Sequence, residues 1–219
     1  MGDRERLGLE VPDQPQIADL LLILAGYLAG SLPFGYWLVL LLRREDIRKY
    51  GSGNIGATNV WRSFGPGLGG PVILLDIAKG FVPTLVAAER EGPLIGALVG
   101  GAAMLGHWRP VFMRFQRGGK MVATCGGALL GLAPLVGLAG VLVWLVVFGV
   151  SRYASLASMA AAASLPFAAL ALGEPWPVVV FVTAAAAGVL ALHRANIARL
   201  RAGTENRFDL RRLRGQPAR

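Results

Sequence analysis

The chain has 219 residues, of which 54% are hydrophobic and only 16% charged, and its mean hydropathy is +0.54. Soluble domains carry about 25% charged residues, so this composition excludes an ordinary soluble enzyme and indicates a membrane protein. The formal charge of +9 does not imply nucleic acid as a partner, because basic residues in membrane proteins commonly mark the cytoplasmic side and contact anionic lipid. The single cysteine, Cys125, excludes a disulfide framework within the chain and a metal site built on several thiolates.

Long apolar segments predict an all-α protein made of membrane-spanning helices. A helix needs about 20 residues to cross the hydrocarbon core of a bilayer. The apolar segments lie at residues 17–42, 66–88, 92–115, 121–150, 154–172 and 176–192. The fourth contains Pro134, so it is either one long kinked helix or two helices that meet at the proline.

The distribution of basic residues decides between these alternatives. Of the 22 Lys and Arg residues, 5, 4, 1 and 8 lie in the segments 43–62, 107–120, 151–153 and 193–219. The positive-inside tendency places all four segments in the cytoplasm, which requires an even number of crossings between any two of them. We therefore predict two helices within the fourth apolar segment and seven spans in all, with the N-terminus outside and the C-terminus cytoplasmic. The expected regions are an extracytoplasmic tail, a seven-helix membrane domain and a basic cytoplasmic tail, at residues 1–16, 17–200 and 201–219.

The first predicted cytoplasmic loop contains residues 51–62, with the sequence GSGNIGATNVWR. Glycines let several backbone N–H groups converge on an anion, and the hydroxyls and amides add further donors. Arg62 can bind a phosphate through two parallel hydrogen bonds. The alternative is a polar turn at the membrane surface, but such a turn does not require so many donors. The loop matches neither the common P-loop pattern nor a Gly-rich dinucleotide turn after a strand.

The second predicted cytoplasmic loop ends with Gly118, Gly119 and Lys120, directly before an apolar helix. A lysine at a helix N-terminus can bind an anion together with the backbone N–H groups of the first turn. Lys120 can also be interpreted as an interface residue that extends its ammonium group to the membrane surface. We interpret His107, in the same loop, as a packing or capping residue beside Trp108 rather than as a catalyst.

The inner end of the last span contains His193 and Asn196, whose spacing puts them on one face of a helix. An imidazole beside a bound phosphate can orient a substrate hydroxyl or accept its proton. The alternative is a histidine at the membrane interface, followed by a basic tail that contacts anionic lipid.

Two further features concern polar residues within or next to the spans. Asp76 and Lys79 lie three residues apart inside the second apolar segment. Ionisable groups are costly in the membrane, so we predict a structural ion pair between them. The segment 151–155 predicts a short inner turn in which Arg152 or Ser155 can supply another hydrogen-bond donor.

Taken together, these motifs resemble the acyl-phosphate:glycerol-3-phosphate acyltransferases, small inner-membrane enzymes of bacteria. The resemblance rests on four stretches that occur across the chain in the order typical of that family, at residues 51–62, 76–80, 106–124 and 193–205. It implies a seven-helix fold that transfers a fatty acyl group from acyl phosphate to the 1-hydroxyl of glycerol 3-phosphate. The implied products are lysophosphatidic acid and phosphate, and no metal ion or other cofactor is implied.

The resemblance also implies which residues act in the site. Those implied to act in catalysis are Ser52, Lys120, Ser155 and His193. Those implied to bind substrate or phosphate are Asn54, Thr58, Asn59, Arg62, Gly118, Gly119 and Asn196. The sequence departs from the family pattern at Met121, where a glycine usually follows the Gly-Gly-Lys lysine.

The resemblance implies partners and a location as well. The partners are glycerol 3-phosphate, acyl phosphate and membrane lipid, with a functional link to an enzyme that forms acyl phosphate. No nucleic-acid partner is expected. The implied location is the bacterial cytoplasmic (inner) membrane, with the site on its cytoplasmic face.

Three other classes of protein fit the sequence less well than an enzyme that transfers an acyl group from acyl phosphate. A soluble-type glycerolipid acyltransferase needs an aspartate five positions after its histidine, but Phe112 and Ala198 occupy those positions. A CDP-alcohol phosphotransferase needs several metal-binding aspartates, but Asp76 is the one aspartate in the interior of a predicted span. A transporter for a phosphorylated solute usually has internal repeats and a site near the membrane midplane. The sequence has no convincing repeat and its donors gather at one surface, so acyl transfer is favoured.

Overall fold

The computed structural model describes residues 17–208, and α-helices dominate this part of the chain. The helices are α1 (Ile17–Gly30), α2 (Phe34–Arg43), α3 (Ala57–Phe64), α4 (Pro66–Trp108), α5 (Val122–Leu132), α6 (Pro134–Ser151), α7 (Ala154–Ala171), α8 (Trp176–Leu192) and α9 (Arg194–Arg201). Two 3₁₀ turns lie at Ile47–Lys49 and Val111–Met113. The all-α prediction is confirmed for the described residues. The predicted tail at 1–16 and the part of the C-terminal tail beyond residue 208 lie outside them.

Several of these helices have the length and composition of membrane spans. Within residues 17–208, four helical segments qualify: Ile17–Arg43, Pro66–Met113, Pro134–Ser151 and Ala154–Ala171. A fifth qualifies if α8 and α9, which meet at a bend of 54°, are counted as one span. Large apolar side chains on these segments are exposed, among them Leu41, Leu74 and Val150. Exposed side chains of this kind on long apolar helices fit a lipid environment.

The predicted first span is broken between α1 and α2. Pro33 has no N–H group to continue the helical hydrogen bonds, so the backbone leaves the helix just before it. The Leu32 carbonyl accepts a hydrogen bond from Lys79 Nζ at 2.8 Å. Lys79 Nζ also pairs with Asp76 Oδ1 at 2.7 Å, and both side chains are only 3% exposed. The predicted ion pair is therefore present, and it also satisfies a carbonyl at the break of the first span.

Helix α4 is a hairpin of two antiparallel arms that reverses at Gly92. Gly92 has φ 81° and ψ −178°, a left-handed conformation that glycine adopts without a steric penalty. Residues at equal distances from Gly92 lie opposite each other: Ala88 is next to Gly96, and Thr84 is next to Gly100. The second and third predicted spans are the two arms of this hairpin.

Other element boundaries differ from the prediction in two places. The second arm of α4 ends at Trp108 rather than at residue 115, and Pro110 follows two residues later. Helix α3 begins within the first predicted cytoplasmic loop, where no helix was predicted, because its eight residues are too few to form a long apolar segment. The predicted division of the fourth apolar segment is confirmed, since α5 ends at Leu132 and α6 begins at Pro134.

Helix α1 packs directly against the second arm of α4 through glycines. A methyl group added to Gly26 would lie 2.8 Å from a Val99 side-chain carbon, and one added to Gly30 would overlap the backbone of Ala103. Small residues allow this close approach of helices in a membrane, where no hydrophobic force drives them together. The contact holds the first span against the hairpin.

We predict that Gly30→Ala lowers the thermal unfolding midpoint of the protein in detergent, whereas Gly101→Ala does not. The methyl group at residue 30 has no space, and overpacking of this kind costs about 1–3 kcal/mol. The matched control, Gly101, is likewise a helical glycine, in α4, but an added Cβ there would have nothing within 4 Å. Alanine favours a helix over glycine by about 1 kcal/mol, so the control midpoint should stay or rise. Equal midpoints for the two variants would contradict this packing.

Candidate active site

A cavity of about 560 Å³ connects a polar region of the protein with an apolar interior. Most of its apolar lining comes from α5, α6 and α7, and α4 and α8 contribute Ile73, Ile77 and Val189. Its polar end, which we call the mouth, is formed where the loop before α3, the start of α5, the start of α7 and the bend between α8 and α9 meet. Nine of the eleven predicted site residues line the cavity: Ser52, Asn54, Thr58, Asn59, Arg62, Lys120, Ser155, His193 and Asn196. The structure thus brings together residues that are up to 144 positions apart in the sequence.

Glu205 connects several of these residues at the mouth. Its Oε1 accepts hydrogen bonds from Ser155 Oγ at 2.7 Å and from Asn196 Nδ2 at 2.6 Å. Its Oε2 accepts a hydrogen bond from Arg199 Nε at 2.7 Å. Asn196 in turn accepts a hydrogen bond through Oδ1 from Lys120 Nζ. One buried carboxylate therefore links α7 and α9 to the lysine that precedes α5.

Sequence reasoning did not select Glu205 as a site residue. It lies in the segment that the sequence predicted to be a basic tail, beyond the seven-helix domain. The sequence does contain one indication that Glu205 forms ion pairs, since it is an acidic residue in a segment, 193–219, that contains 8 Lys or Arg residues. Spacing could not show that the chain folds back there to place this carboxylate against α7.

The charged groups at the mouth alter one another's protonation. The pKa of Lys120 is lowered to about 8, first by burial and then by the positive charges of Arg199, Arg117 and Arg62, while Glu205 opposes the shift. For Glu205, burial alone raises the pKa, but hydrogen bonds from Ser155, Asn196 and Arg199 outweigh burial and hold the pKa below its usual value. Glu205 is therefore ionised at neutral pH, and the charge of Lys120 depends on what lies beside it.

Two asparagines shape the loop before α3. Asn59 accepts a hydrogen bond from the Ser52 N–H through Oδ1 at 3.0 Å and donates two through Nδ2, to Tyr50 O at 3.0 Å and Asn54 O at 2.8 Å. Asn54 Oδ1 accepts from the Gly56 N–H at 2.7 Å. The amide of Asn59 is thus occupied by the loop backbone, and its place in the site is to fix the loop.

The glycines before Lys120 rest on the end of α4. The Gly119 N–H donates to His107 O at 2.9 Å, and the Gly118 N–H donates to Trp108 O at 2.9 Å. A Cβ on Gly119 would overlap the His107 ring, so residue 119 has no room for a side chain. Gly118 and Gly119 do not line the cavity themselves, but Gly118 O accepts a hydrogen bond from Asn54 Nδ2 at 3.3 Å and so connects the two loops. His107 contacts Gly119 here, and its buried side chain also lines the cavity. Its interpretation as a packing or capping residue rather than a catalyst stays a prediction.

The side chain of Lys120 points into the mouth, where it contacts Asn196. This geometry favours the anion-binding interpretation of Lys120 over that of an interface residue. Met121 follows with φ 67° and ψ −7°, in the left-handed region, and precedes α5. Glycine adopts this conformation more readily than methionine does, which gives a physical reason for the glycine usual in the related family. Here the Met121 side chain is buried, with 6% exposure.

His193 lies at the bend between α8 and α9, and its ring is buried at the cavity wall. Its Nδ1 is 2.8 Å from Val189 O, which can only accept a hydrogen bond. Nδ1 therefore carries a proton, and in the neutral ring Nε2 is left as an acceptor. Within residues 17–208, no group of three or more His, Cys, Asp or Glu side chains is placed to hold a metal ion.

Several known proteins are similar to this chain in sequence and in fold. Residues 20–203 match the family model for glycerol-3-phosphate acyltransferase. The glycerol-3-phosphate acyltransferase of Roseiflexus sp. (strain RS-1) is 49% identical over 201 residues, which cover 89% of this chain and 98% of the relative. That of Desulforudis audaxviator (strain MP104C) is 44% identical over 196 residues, which cover 90% of this chain and 98% of the relative.

Two crystal structures of PlsY (YgiH), an integral membrane glycerol 3-phosphate acyltransferase, resemble the model closely. The glycerol 3-phosphate form has a TM-score of 0.86 and 40% identity, covering 91% of this chain and all of PlsY. The lysophosphatidic acid form has a TM-score of 0.82 and 39% identity over the same share of each chain. The chain belongs to the glycerol-3-phosphate acyltransferase family, whose members are integral membrane enzymes of phospholipid synthesis.

Proposed function

We propose that the protein transfers a fatty acyl group from acyl phosphate to the 1-hydroxyl of glycerol 3-phosphate and produces lysophosphatidic acid and phosphate. The observation that carries this proposal is the cavity itself, which joins a cationic mouth to an apolar interior. Both proposed substrates carry a phosphate, and one of them also carries a long apolar chain. The relatives' structures with glycerol 3-phosphate and lysophosphatidic acid agree with the proposed acceptor and product.

We assign the residues at the mouth to the two phosphates. Lys120 and Arg62 supply positive charge, and Ser52 and Thr58 supply hydroxyl donors. Ser155 donates its hydroxyl proton to Glu205 and so positions that carboxylate beside the site. Asn196 holds the ammonium group of Lys120 in place. The remaining predicted binding residues act mainly through the backbone that they position: Asn54, Asn59, Gly118 and Gly119.

The proposed reaction needs little more than positioning and charge neutralisation. Acyl phosphate is already activated, because phosphate is a good leaving group. The 1-hydroxyl oxygen of the acceptor bonds to the acyl carbon, the bond from that carbon to the phosphate oxygen breaks, and the hydroxyl proton passes to the departing phosphate. Lys120 stabilises the charge on that phosphate, while Nε2 of His193 accepts a hydrogen bond from the 2-hydroxyl of glycerol 3-phosphate and so orients the acceptor.

We further propose seven crossings of the bacterial cytoplasmic membrane, with the N-terminus outside and the C-terminus inside. The α1–α2 segment, the two arms of α4, and α5, α6, α7 and α8 supply these crossings, although α5 has only 11 residues. Basic residues surround the mouth, so the positive-inside tendency supports a site on the cytoplasmic face. The extracytoplasmic tail at 1–16, the membrane domain at 17–200 and the basic tail at 201–219 belong to this proposal. The proposal also includes membrane lipid as a partner and a functional link to an enzyme that supplies acyl phosphate.

The proposal predicts release of phosphate that depends on the acceptor. Purified protein in lipid, given palmitoyl phosphate, should release phosphate only when glycerol 3-phosphate is present. Lys120→Ala should lower the rate by about 100-fold or more, as loss of a group that stabilises transition-state charge commonly does. Lys49→Ala is the matched control, because Lys49 is exposed and does not line the cavity. Binding of glycerol 3-phosphate without any phosphate release would instead indicate a protein that binds or transports the anion.

The proposal also predicts that activity falls as the pH rises through about 8. The pKa of Lys120 is about 8, so the ammonium group is charged below this pH and neutral above it. The value of kcat/KM for acyl phosphate should therefore decline on the alkaline side. In Lys120→Arg the decline should move to higher pH, since arginine stays protonated throughout this range.

His193→Ala is the control for this pH profile. Because we assign His193 to the 2-hydroxyl of the acceptor, its loss should raise KM for glycerol 3-phosphate and leave the alkaline decline where it was. A decline that stays in place in Lys120→Arg, or that shifts in His193→Ala, would show that Lys120 is not the group that titrates.

A further inference from the structure

The apolar part of the cavity has a measurable depth along α7. Ser155 at the mouth and Leu165 at the inner end both line it. They are ten residues apart, which corresponds to about 15 Å along a helix that rises 1.5 Å per residue. Ser158, Ala161 and Ala162 lie between them on the same face. These small side chains leave space for an elongated occupant.

The inner end of the cavity is closed by direct contact between helices. A Cβ added to Gly137 of α6 would lie 3.0 Å from the backbone nitrogen of Leu130 in α5. A Cβ added to Gly140 would lie 2.8 Å from Cδ2 of Leu165 in α7. Helix α6 thus touches the backbone of α5 and the Leu165 side chain of α7 at this level, and such close packing leaves little space for a longer occupant.

One wall of the cavity is aromatic and fixed. The ring of Phe208 at the mouth packs against Phe148 at 5.3 Å between centroids, and Phe148 stacks on Trp144 at 4.7 Å. Trp144 Nε1 donates a hydrogen bond to Ser158 Oγ at 3.1 Å. The indole is therefore held in one orientation and forms a rigid side of the channel.

Gly126 in α5 contributes a gap to the lining of the cavity. It lines the cavity between Val122 on one side and Leu129 and Leu130 on the other, with helical spacing. A Cβ added to Gly126 would have nothing within 4 Å, so no neighbouring helix requires a glycine there. Glycine within a helix costs about 1 kcal/mol relative to alanine. Helix packing does not account for this glycine, but the open cavity does.

Position 126 lies part of the way along the channel. It follows Val122, the first residue of α5, by four residues, about 6 Å along the helix axis, and precedes Leu130 at the closed end by four residues, about 6 Å. A side chain at this position would project into the channel before its inner end. We propose that Gly126 determines the length of acyl chain that the enzyme accepts, because its missing side chain lets the chain continue to the closed end. This inference rests on the proposed acyl transfer.

The test compares Gly126→Leu with the unaltered protein on decanoyl, lauroyl, palmitoyl and stearoyl phosphate. We expect kcat/KM for the two longest donors to fall by about 10-fold or more, while decanoyl phosphate is used nearly as before, since a blocked pocket rejects the larger substrate. Gly101→Leu is the matched control. An added Cβ at Gly101 also has nothing within 4 Å, but residue 101 does not line the cavity, so its chain-length profile should match that of the unaltered protein.

The outcomes separate this inference from the function on which it rests. An unaltered protein that uses no acyl phosphate overturns the proposed function, whatever Gly126→Leu does. A Gly126→Leu variant that keeps the original order of donors overturns the role of Gly126 alone. If Gly126→Leu fails to fold, Gly126→Ala and Gly126→Val should shift the preference towards shorter donors in steps. An equal loss for all donors in these two variants would also overturn the inference.

Discussion

The carboxylate of Glu205 is the interaction on which the arrangement of the mouth depends. It accepts three hydrogen bonds, from Ser155, Asn196 and Arg199, and so ties the segment after α9 to the start of α7. A buried carboxylate without such partners would carry a large desolvation cost. The same carboxylate positions Lys120 through Asn196. Because this network fixes the side chains around Glu205 and Lys120, the site can bind its substrates with little rearrangement.

The balance of charge at the mouth follows from this network. Lys120, Arg62 and Arg199 are close to a single ionised carboxylate, and their mutual repulsion contributes to the low pKa of Lys120. An anion beside Lys120 would stabilise its charged form and relieve this repulsion. The apolar channel begins at the same place, so a molecule with a phosphate at one end and a hydrocarbon chain at the other fits both parts. Charge and cavity shape thus favour the same class of donor.

The sequence predicts the helices more completely than it predicts their contacts. Apolar length, Pro134 and the distribution of basic residues together were sufficient to place α5, α6, α7 and α8, because in lipid the backbone must satisfy its own hydrogen bonds. The break at Pro33 was missed, because Lys79, a residue distant in sequence, satisfies the Leu32 carbonyl. The choice of site residues came largely from the family resemblance, since no local spacing brings Ser52, Lys120, Ser155 and His193 together. Glu205 was missed because its partners are supplied by tertiary structure alone.

The identity of the acyl donor tests the central claim most directly, since the account assigns the cationic mouth to a phosphate bonded to the acyl carbon. Purified protein in lipid would be given labelled glycerol 3-phosphate with either palmitoyl phosphate or the palmitoyl thioester of coenzyme A, and labelled lysophosphatidic acid would be measured. This assignment of the mouth predicts product from palmitoyl phosphate and very little from the thioester, whose acyl carbon carries no phosphate. Equal rates from both donors, or product from the thioester alone, would contradict it.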